Sequence, residues 1–361
     1  MKHKLLSYLG FFSLLVLLTT GCGNQSQSSL NQNENNKPIK DLPGPIVFQG
    51  EDDTEEYIEN VTTTETVQTN NNYLYVHYLN VGQAHATLIQ SDDFNMLIDS
   101  GNYADGEDVV NYIKDMGIDS LDIVIGTHPH EDHIGCMDVI FDNIDVDEYY
   151  CPSIPEQYEV TANFYKYVDE SILNNNITVI HPTTKDIIYK DDDTTVQILY
   201  DGNLGTDNYN EYSICTKITF EDTSFIISGD AEELEEKYIL DNFSKEELSA
   251  DVILAGHHGS YSSNSYNYLS TINPKYAIIS CAAENAYGHP HKETLDKFDL
   301  LNIKYYITAT DGTIIAESDG KSINIITGIT GEIPLGDRNY EGIIKYPDSM
   351  NRWYIEKYWL S

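Results

Sequence analysis

The stretch Thr127-His128-Pro129-His130-Glu131-Asp132-His133-Ile134-Gly135 places three histidines and two carboxylates within six consecutive positions. We call residues 127–135 the histidine loop. The apolar run from Leu121 to Ile125 comes just before it and predicts a short buried strand. The sequence therefore indicates a strand that ends in a loop crowded with metal-binding side chains, and a solvated polar loop is the alternative.

Pro129 restricts the backbone inside this loop. The residue before a proline is pushed out of the α region, so His128 is expected to be extended and to point the same way as His130. Asp132 and His133 are expected to turn in behind them at the start of a helix. Neutral imidazoles combined with carboxylates are typical ligands of zinc, iron or manganese.

Composition limits the classes of function. The chain has 361 residues, 40% of them hydrophobic, which is enough for one large domain or two small ones. The formal net charge is −39, from 20 basic and 59 acidic residues. That charge disfavours non-specific binding of nucleic acid, which depends on lysine and arginine. It does not exclude cleavage of a phosphodiester, because metal ions supply positive charge locally.

The amino end has the layout of a secretory signal. A positive segment, Met1 to Lys4, precedes a mostly apolar run from Leu5 to Leu18, and Thr19-Thr20-Gly21-Cys22 follows. The small residues before Cys22 resemble a bacterial lipobox, which implies a signal peptide at 1–21 and a lipid on Cys22. An uncleaved anchor helix is the alternative. Both place the protein on the outer face of the cytoplasmic membrane.

The remaining chain divides by composition. Residues 22–72 are polar and acidic with few apolar groups, and they predict a flexible acidic tether. Residues 73–328 carry the strand and helix patterns of one folded domain, and 329–361 form a tail without a clear pattern. Strands are predicted at 73–79, 86–90, 94–98, 121–125, 177–180, 195–199, 213–220, 224–228, 252–255, 276–280, 305–310, 313–316 and 323–327, and helices at 105–116, 164–173, 232–240 and 293–301.

Ligand-type side chains follow the ends of several predicted strands. Asp99, the histidine loop, Asp230 and His257 each occupy such a position. In α/β proteins, functional sites are built at strand ends, so these groups are expected to meet. Together they could hold two metals, an arrangement that generates hydroxide at neutral pH and holds both oxygens of an in-line displacement.

The histidine loop resembles the HxHxDH motif of the metallo-β-lactamase superfamily, and further motifs resemble its ComEC-type branch. Those motifs are Asn80-Val81-Gly82-Gln83, Leu97-Ile98-Asp99-Ser100-Gly101, Ser228-Gly229-Asp230, Gly256-His257-His258-Gly259-Ser260 and Tyr287-Gly288-His289-Pro290. The resemblance spans about residues 73–327 and implies an αββα sandwich with two divalent metal ions between its sheets.

The resemblance also implies roles for individual residues. His128 and His130 would bind the first metal, Asp132, His133 and His257 would bind the second, Asp230 would bridge both, and Asp99 would orient the loop from behind. Asp132 would also take part in catalysis.

The sequence departs from the family pattern at several positions. No histidine lies between His181 and His257, where most members have one before the bridging aspartate, so Asn210 or water would complete the first site. That change could favour manganese over zinc. Ala84-His85 replaces a Gly-Asp pair, which leaves His85 as a supporting group or an extra ligand. His258 has no ligand role in this scheme and is assigned a supporting one.

Two further groups stay open. His289 could bind a substrate phosphate or protonate a leaving group, and a structural histidine is the alternative. Cys136, Cys151, Cys215 and Cys281 are expected to be unpaired and mostly buried.

These observations predict a membrane-tethered, extracytoplasmic, metal-dependent hydrolase of phosphodiesters. ComEC-type proteins are linked to uptake of nucleic acid, which makes DNA one candidate substrate, although the net charge disfavours it. The first alternative is a cell-envelope phosphodiesterase similar to the phosphorylcholine esterases that act on teichoic acids. The second is a non-catalytic binding lipoprotein with a structural metal. No protein partner can be inferred.

Overall fold

Two β-sheets lie face to face in the computed structural model, which describes residues 73–154, 163–203 and 208–327. The predicted signal at 1–21, the lipidated Cys22, the tether at 22–72 and the tail at 329–361 lie outside these residues, and the boundaries drawn at 73 and 328 stay predictions. Across the described ranges, no helix is both long enough and apolar enough to cross a membrane.

The first sheet has eight strands in the order β15-β14-β1-β2-β3-β4-β5-β6. Its outer hairpin and the β1-β2-β3 meander are antiparallel, while β3 to β6 run parallel. The strands are β1 (Leu74–Tyr78), β2 (Thr87–Gln90), β3 (Asn95–Ile98), β4 (Ser120–Ile125), β5 (Asp145–Tyr150), β6 (Thr178–Ile180), β14 (Ile314–Ser318) and β15 (Ile323–Ile326).

The second sheet has seven strands in the order β13-β12-β11-β10-β9-β8-β7. The pairs from β7 to β10 are antiparallel and those from β10 to β13 are parallel. The strands are β7 (Ile187–Lys190), β8 (Thr194–Tyr200), β9 (Cys215–Phe220), β10 (Thr223–Ile227), β11 (Val252–Leu254), β12 (Tyr276–Ile279) and β13 (Lys304–Ile307).

Nine α-helices occur within the described residues, and the longer ones cover the outer faces of the sheets. They are α1 (Gly106–Asp115), α2 (Glu131–Ile134), α3 (Met137–Asn143), α4 (Asn163–Asn175), α5 (Glu233–Asn242), α6 (Lys245–Leu248), α7 (Tyr266–Ile272), α8 (Lys292–Leu301) and α9 (Thr308–Asp311).

Three apolar clusters separate these layers. The central one joins inward-facing residues of both sheets, among them Val76 and Ile125 from the first and Ile198 and Ile227 from the second. A second cluster lies between the first sheet and the helices α1, α3 and α4, and a third lies between the second sheet and α5, α7 and α8. Central strands buried on both faces explain the continuous apolar runs of the sequence. The αββα sandwich expected from the sequence is confirmed.

Elements that the patterns missed have physical reasons. Strand β5, with the sequence DVDEYY, alternates between exposed and half-buried positions over its first four residues, and its three acidic residues hide the strand pattern. Helix α7 has only seven residues, too few for a clear helical period. Both lie in stretches where the sequence patterns predict no helix or strand.

The edge where the site forms is the carboxyl end of the parallel strands. Asp99 follows β3, the histidine loop follows β4, Asp230 follows β10, and His257 and His258 follow β11. Backbone hydrogen bonds tie the loops of this edge together, both between the two sheets and within the second sheet. Ile214 N donates to Thr127 O at 2.9 Å, and His257 N donates to Gly229 O at 3.0 Å.

Candidate metal centre

The histidine loop has the local structure that its sequence predicts. His130 is extended, with φ −90° and ψ 152°, and the helix α2 begins at the next residue, Glu131. The amide nitrogen of His133 donates to His130 O at 3.2 Å, which closes the turn. Asp132 and His133 therefore lie in the first turn of a helix, behind His128 and His130, as expected.

Asp99 supports this loop from below. Its Oδ2 lies 2.7 Å from Nδ1 of His133 and 2.7 Å from Nδ1 of His85, and its Oδ1 accepts from the amide of Thr127 at 2.8 Å. Burial works to raise the pKa of Asp99, but His133 and His85 outweigh burial and hold this pKa below its ordinary value. The carboxylate orients His133 so that Nε2 of that residue faces the site.

Asp230 lies at the centre of the imidazoles. Its Oδ1 is 3.1 Å from Nε2 of His133 and 3.6 Å from Nε2 of His258. Its Oδ2 is 3.5 Å from Nε2 of His257 and 3.8 Å from Nε2 of His128. Burial opposes ionisation, yet the imidazoles of His133, His258 and His257 hold the pKa of Asp230 well below its ordinary value. Each oxygen thus faces a different set of histidines, which suits a bridging ligand.

The same buried environment shifts the pKa values of His133 and His128 in opposite directions. Burial works to lower the pKa of His133, but Asp230 and Asp99 on its two sides raise it well above the ordinary value. Burial, together with the neighbouring His133, lowers the pKa of His128 well below the ordinary value. His128 is therefore a neutral imidazole, the form that binds a metal.

Two groups of ligand atoms share this centre. His128, His130 and Asp230 form one group, and Asp132, His133 and His258 form the other, with the ligand atoms of each group within 4.8 Å of one another. Nε2 of His128 lies 3.0 Å from Nδ1 of His130. The arrangement matches the two sites that the resemblance implies, apart from one histidine.

His258 takes the place that the sequence interpretation gave to His257. Nε2 of His258 lies 3.3 Å from Oδ2 of Asp132. His257 faces Oε1 of Glu232 through Nδ1, at 3.2 Å, and Oδ2 of Asp230 through Nε2, at 3.5 Å. Both histidines have left-handed backbone conformations, with φ 51° and 54°, so their side chains diverge. His258 rather than His257 is thus grouped with Asp132 and His133, and the ligand and supporting roles expected for these two histidines stay predictions.

Glu232 is a member of the site that the sequence analysis missed. Its Oε1 accepts hydrogen bonds from Ser262 Oγ at 3.0 Å and from Asn210 Nδ2 at 3.4 Å, as well as facing His257. The hydrogen bond with His257 is the main reason that the pKa of Glu232 is lowered. A carboxylate two residues after Asp230 was the available signal, but in the sequence Glu232 is simply the first residue of the helix predicted at 232–240.

Asn210, which was expected to complete the first site, lies beside Glu232 and His257. Its Nδ2 faces Glu232 and Nε2 of His257, at 3.5 Å from the latter. Its Oδ1 is buried and has no hydrogen-bond partner among the described residues. An amide oxygen with no partner fits the expected role of Asn210 as a ligand or as a neighbour of a bound water.

Unpartnered polar atoms test whether this centre fits metal ions. Nε2 of His133, Nε2 of His258 and Oδ1 of Asp230 are buried and make no well-directed hydrogen bond within the described ranges, although Nε2 of His133 lies 3.1 Å from Oδ1 of Asp230. A buried polar atom without a partner costs about 1–3 kcal/mol. Three such atoms that point at one another are explained by cations, so the residues fit a divalent metal centre.

The metallo-beta-lactamase superfamily model matches residues 79–283, which is more than half of the chain. The chain belongs to this superfamily. Its members are typically metal-dependent hydrolases and often bind two divalent metal ions.

The curated relatives of this chain are much longer than the segments of them that match it. The chain is 27% identical over 213 residues to "ComE operon protein 3" of Bacillus subtilis, covering 58% of this chain and 26% of the relative. It is 27% identical over 244 residues to "Recombination protein 2" of Haemophilus influenzae, covering 66% of this chain and 28% of the relative. The chain therefore spans about a quarter of the length of these relatives.

Among solved structures, the chain is similar to the metallo-beta-lactamase fold protein YhfI from Bacillus subtilis. The sequence identity is 13% and the TM-score is 0.44, over 68% of this chain and 100% of that chain.

Both ring nitrogens of His85 have partners in the candidate metal centre. Its Nδ1 faces Asp99, and its Nε2 lies 2.8 Å from Oγ1 of Thr87. His85, Asp99 and His133 also form a third group of close ligand atoms. Because both ring nitrogens of His85 already have partners, a supporting role fits this residue better than a ligand role.

His289 lies beside the metallo-β-lactamase centre rather than within either ligand group. Its ring centroid is 5.4 Å from that of His257 and 6.0 Å from that of His258. Burial, and then the neighbouring His258 and His257, lower the pKa of His289 to about 3. The imidazole is therefore neutral at pH 7, which favours phosphate binding over protonation of a leaving group.

The cysteines follow the expectation. Cys136, Cys151, Cys215 and Cys281 are all free, and only Cys151 is partly exposed. Burial raises the pKa of Cys136 well above the ordinary value, and its thiol donates to Ser100 O at 2.9 Å. Cys136 is a buried small group next to the site.

Proposed function

We propose that this protein is a metal-dependent phosphodiesterase tethered to the outer face of the cytoplasmic membrane through a lipid on Cys22. The observation that carries the proposed chemistry is the position of Asp230, whose two oxygens face different sets of imidazoles. A closed structural site needs only four ligands. The larger set around Asp230 suits two cations and an open reaction centre.

Each residue has a distinct task in this proposal. His128 and His130 hold the first metal, Asp132, His133 and His258 hold the second, and Asp230 is shared. Bound divalent cations would supply an activated water and positive charge opposite the phosphate oxygens. Asp99 fixes the ring of His133, and Asp132 holds its carboxylate at the partly exposed mouth of the site.

Zinc and manganese are the proposed metals. The second group offers two imidazoles and carboxylates, which suit zinc. The first group has His128, His130 and Asp230, and Asn210, whose Oδ1 is buried without a partner, is the proposed further ligand. More oxygen ligands suit manganese, so the first group is the one whose metal would vary.

DNA is the first candidate substrate. Two relatives carry the names "ComE operon protein 3" and "Recombination protein 2", and the second name refers to recombination. The chain covers about a quarter of each. The net charge of −39 argues against DNA that binds without help. The only two arginines, Arg338 and Arg352, lie outside the described residues.

A cell-envelope phosphoester is the second candidate, supported by aromatic side chains near the centre. Tyr261 is 65% exposed and Tyr287 is 66% exposed, and both contact histidines next to the ligand groups. Aromatic faces bind quaternary ammonium groups, and an acidic protein attracts them. A phosphorylcholine ester combines such a cation with a phosphodiester.

The experiment compares substrates on the full chain extracted in detergent. Bound metal is measured first, and then turnover of single-stranded DNA, an aryl phosphodiester and an aryl phosphorylcholine is measured at equal enzyme concentration. We expect two metals per chain and turnover of at least the aryl phosphodiester. Asp230→Ala should abolish turnover, while Asp241→Asn, an exposed carboxylate on α5, should not change it.

The outcomes separate the candidates. Cleavage of aryl phosphorylcholine without cleavage of DNA would favour the envelope substrate. One tightly held zinc with no turnover on any of the three substrates would contradict an enzyme and favour a binding lipoprotein with a structural metal.

A further inference from the structure

Gln83 links the first half of the chain to His289. The side chain is buried, in the loop between β1 and β2. Its Oε1 accepts a hydrogen bond from the backbone amide of Ala282 at 3.2 Å. Its Nε2 lies 3.2 Å from Nδ1 of His289. The two contacts hold one amide group between a backbone N–H and an imidazole.

These contacts determine which nitrogen of His289 carries the proton. A backbone N–H can only donate, so the amide atom that faces Ala282 must be the oxygen of Gln83. The amide NH₂ of Gln83 then faces His289 and can only donate to it. Nδ1 of His289 is therefore the acceptor, and the neutral ring carries its proton on Nε2.

The loop that carries His289 is braced by one asparagine. Asn285 Nδ2 donates to the carbonyls of Ala282 at 3.0 Å and His289 at 2.7 Å, and its Oδ1 accepts from the amide of His289 at 2.9 Å. Tyr287 stacks on the ring of His289, with centroids 5.5 Å apart and planes at 19°. The imidazole is thus held in place before any substrate arrives, which lowers the entropy cost of binding.

The N–H group at Nε2 of His289 remains available as a hydrogen-bond donor. No hydrogen bond joins it to another described residue, and it is not among the fully buried unpartnered atoms. The ring lies against His257 and His258, whose other nitrogens face Asp230. A donor that is fixed, accessible and next to the metal-binding groups can meet an oxygen of a ligand bound there.

We propose that Gln83 is a positioning residue that holds His289 in the Nε2–H tautomer, and that this N–H donates a hydrogen bond to a phosphoryl oxygen of the substrate. The proposal rests on the proposed phosphodiesterase function. Hydrogen bonds to charged groups contribute about 1.5–3 kcal/mol, which corresponds to roughly 10- to 100-fold in affinity.

Nitrogen-15 NMR of the histidine side chains tests the tautomer without any turnover. The full chain is labelled with ¹⁵N-histidine and loaded with zinc, and His289→Gln identifies the signals of His289. We expect the chemical shifts of an imidazole protonated on Nε2. In Gln83→Glu, a carboxylate that can only accept should move the proton to Nδ1. Protonation of Nδ1 in the unmodified protein, or no change in Gln83→Glu, would overturn the proposal.

Titration with inorganic phosphate tests the donor role on the same zinc-loaded protein. We expect His289→Leu to weaken phosphate binding about tenfold or more, whereas His289→Gln, whose amide can donate, should stay within about threefold of the unmodified protein. Gln83→Met removes the amide without adding charge and should lower affinity in the same direction. Equal phosphate affinity in His289→Leu and the unmodified protein would sink the donor role.

Matched controls keep the result interpretable. Gln197→Glu alters a half-buried glutamine on β8, opposite Lys217 in the register, and should leave phosphate affinity and the His289 signals unchanged. Zinc content and thermal melting identify any variant that fails to fold. A failure of the phosphodiesterase proposal would appear as absent turnover in the unmodified protein, and it would leave the NMR result and the phosphate titration readable.

Discussion

Nε2 of His258 lies 3.3 Å from Oδ2 of Asp132, whereas the neighbouring His257 turns its Nδ1 toward Glu232. Both histidines also face Asp230 through Nε2, at 3.6 Å for His258 and 3.5 Å for His257, so Asp132 and Glu232 are the partners that distinguish them. His258 is buried, and its Nδ1 lies 2.9 Å from the carbonyl oxygen of Ser280, which fixes the direction of Nε2. The side chain of His257 is 21% exposed and makes its contacts at the mouth of the site.

This difference predicts opposite metal contents for two alanine variants. His258→Ala should lose about one of two bound zinc ions and reduce turnover by at least about 100-fold, since removal of a group that only supports a ligand already costs 10- to 100-fold. His257→Ala should keep both ions and lose about tenfold in turnover. Metal analysis after dialysis measures both. Loss of zinc from His257→Ala alone would reverse the assignment.

Asp230 should be the residue whose loss affects both metals. Asp230→Asn keeps the volume but removes the negative charge that four imidazoles face, so both ions should bind at least about 100-fold more weakly. Competition with a chelator measures the two affinities. Asp241→Asn, at an exposed position on α5, provides the matched control and should not alter them. Retention of one ion at full affinity would show that Asp230 belongs to a single site.

Replacement of Asn210 by histidine should strengthen the binding of zinc by the first group. Asn210→His puts an imidazole at the position proposed to complete the first group, so zinc affinity of that group should rise by about tenfold or more. Asn210→Ala should lower it, because the buried Oδ1 is lost. Zinc and manganese titrations of the three proteins give the comparison. An unchanged ratio of zinc to manganese affinity in Asn210→His would mean that residue 210 does not reach the metal.

Glu235 makes stability depend on pH. Its side chain is fully buried in α5, and Oε1 has no partner in the described part of the chain. Burial raises its pKa from 4.5 to about 8, although the amide of Glu232 opposes the shift. Between pH 4.5 and 8 the folded protein therefore binds more protons than the unfolded chain, and the free energy of unfolding falls as pH rises.

Glu235→Gln should remove that dependence. We expect the free energy of unfolding to match the unmodified protein at pH 5 and to exceed it by on the order of 3 kcal/mol at pH 8. Denaturant titrations of the zinc-loaded protein at the two pH values measure it. Glu233→Gln, at an exposed position on the same helix, should follow the unmodified protein at both. Parallel curves for all three proteins would contradict the assignment to Glu235.

Much of the fold could be predicted because its signals are local. The apolar runs of β3, β4, β10 and β11 are buried on both faces, so each is visible as a short continuous stretch. The acidic strand β5 escaped detection, since its burial depends on parallel pairing with β4 and β6 rather than on its own pattern.

Most of the site residues that could be predicted from the sequence are those that follow the end of a predicted strand. Asp99, the histidine loop and Asp230 each follow a strand, and they meet in the structure. The choice between His257 and His258 depends on two left-handed backbone angles, which no spacing discloses. The contact between Gln83 and His289 joins residues 206 positions apart and requires the two sheets to be packed first.

The left-handed pair His257 and His258 also bears on how this protein can change by mutation. Histidine adopts positive φ more often than most residues, but without the freedom of glycine each such residue still costs on the order of 1 kcal/mol. Glycine at position 257 would relieve strain and gain stability while removing a side chain from the mouth of the site. Selection for stability alone would therefore favour replacement of His257. At this turn the protein keeps two histidines at the site at the expense of some stability.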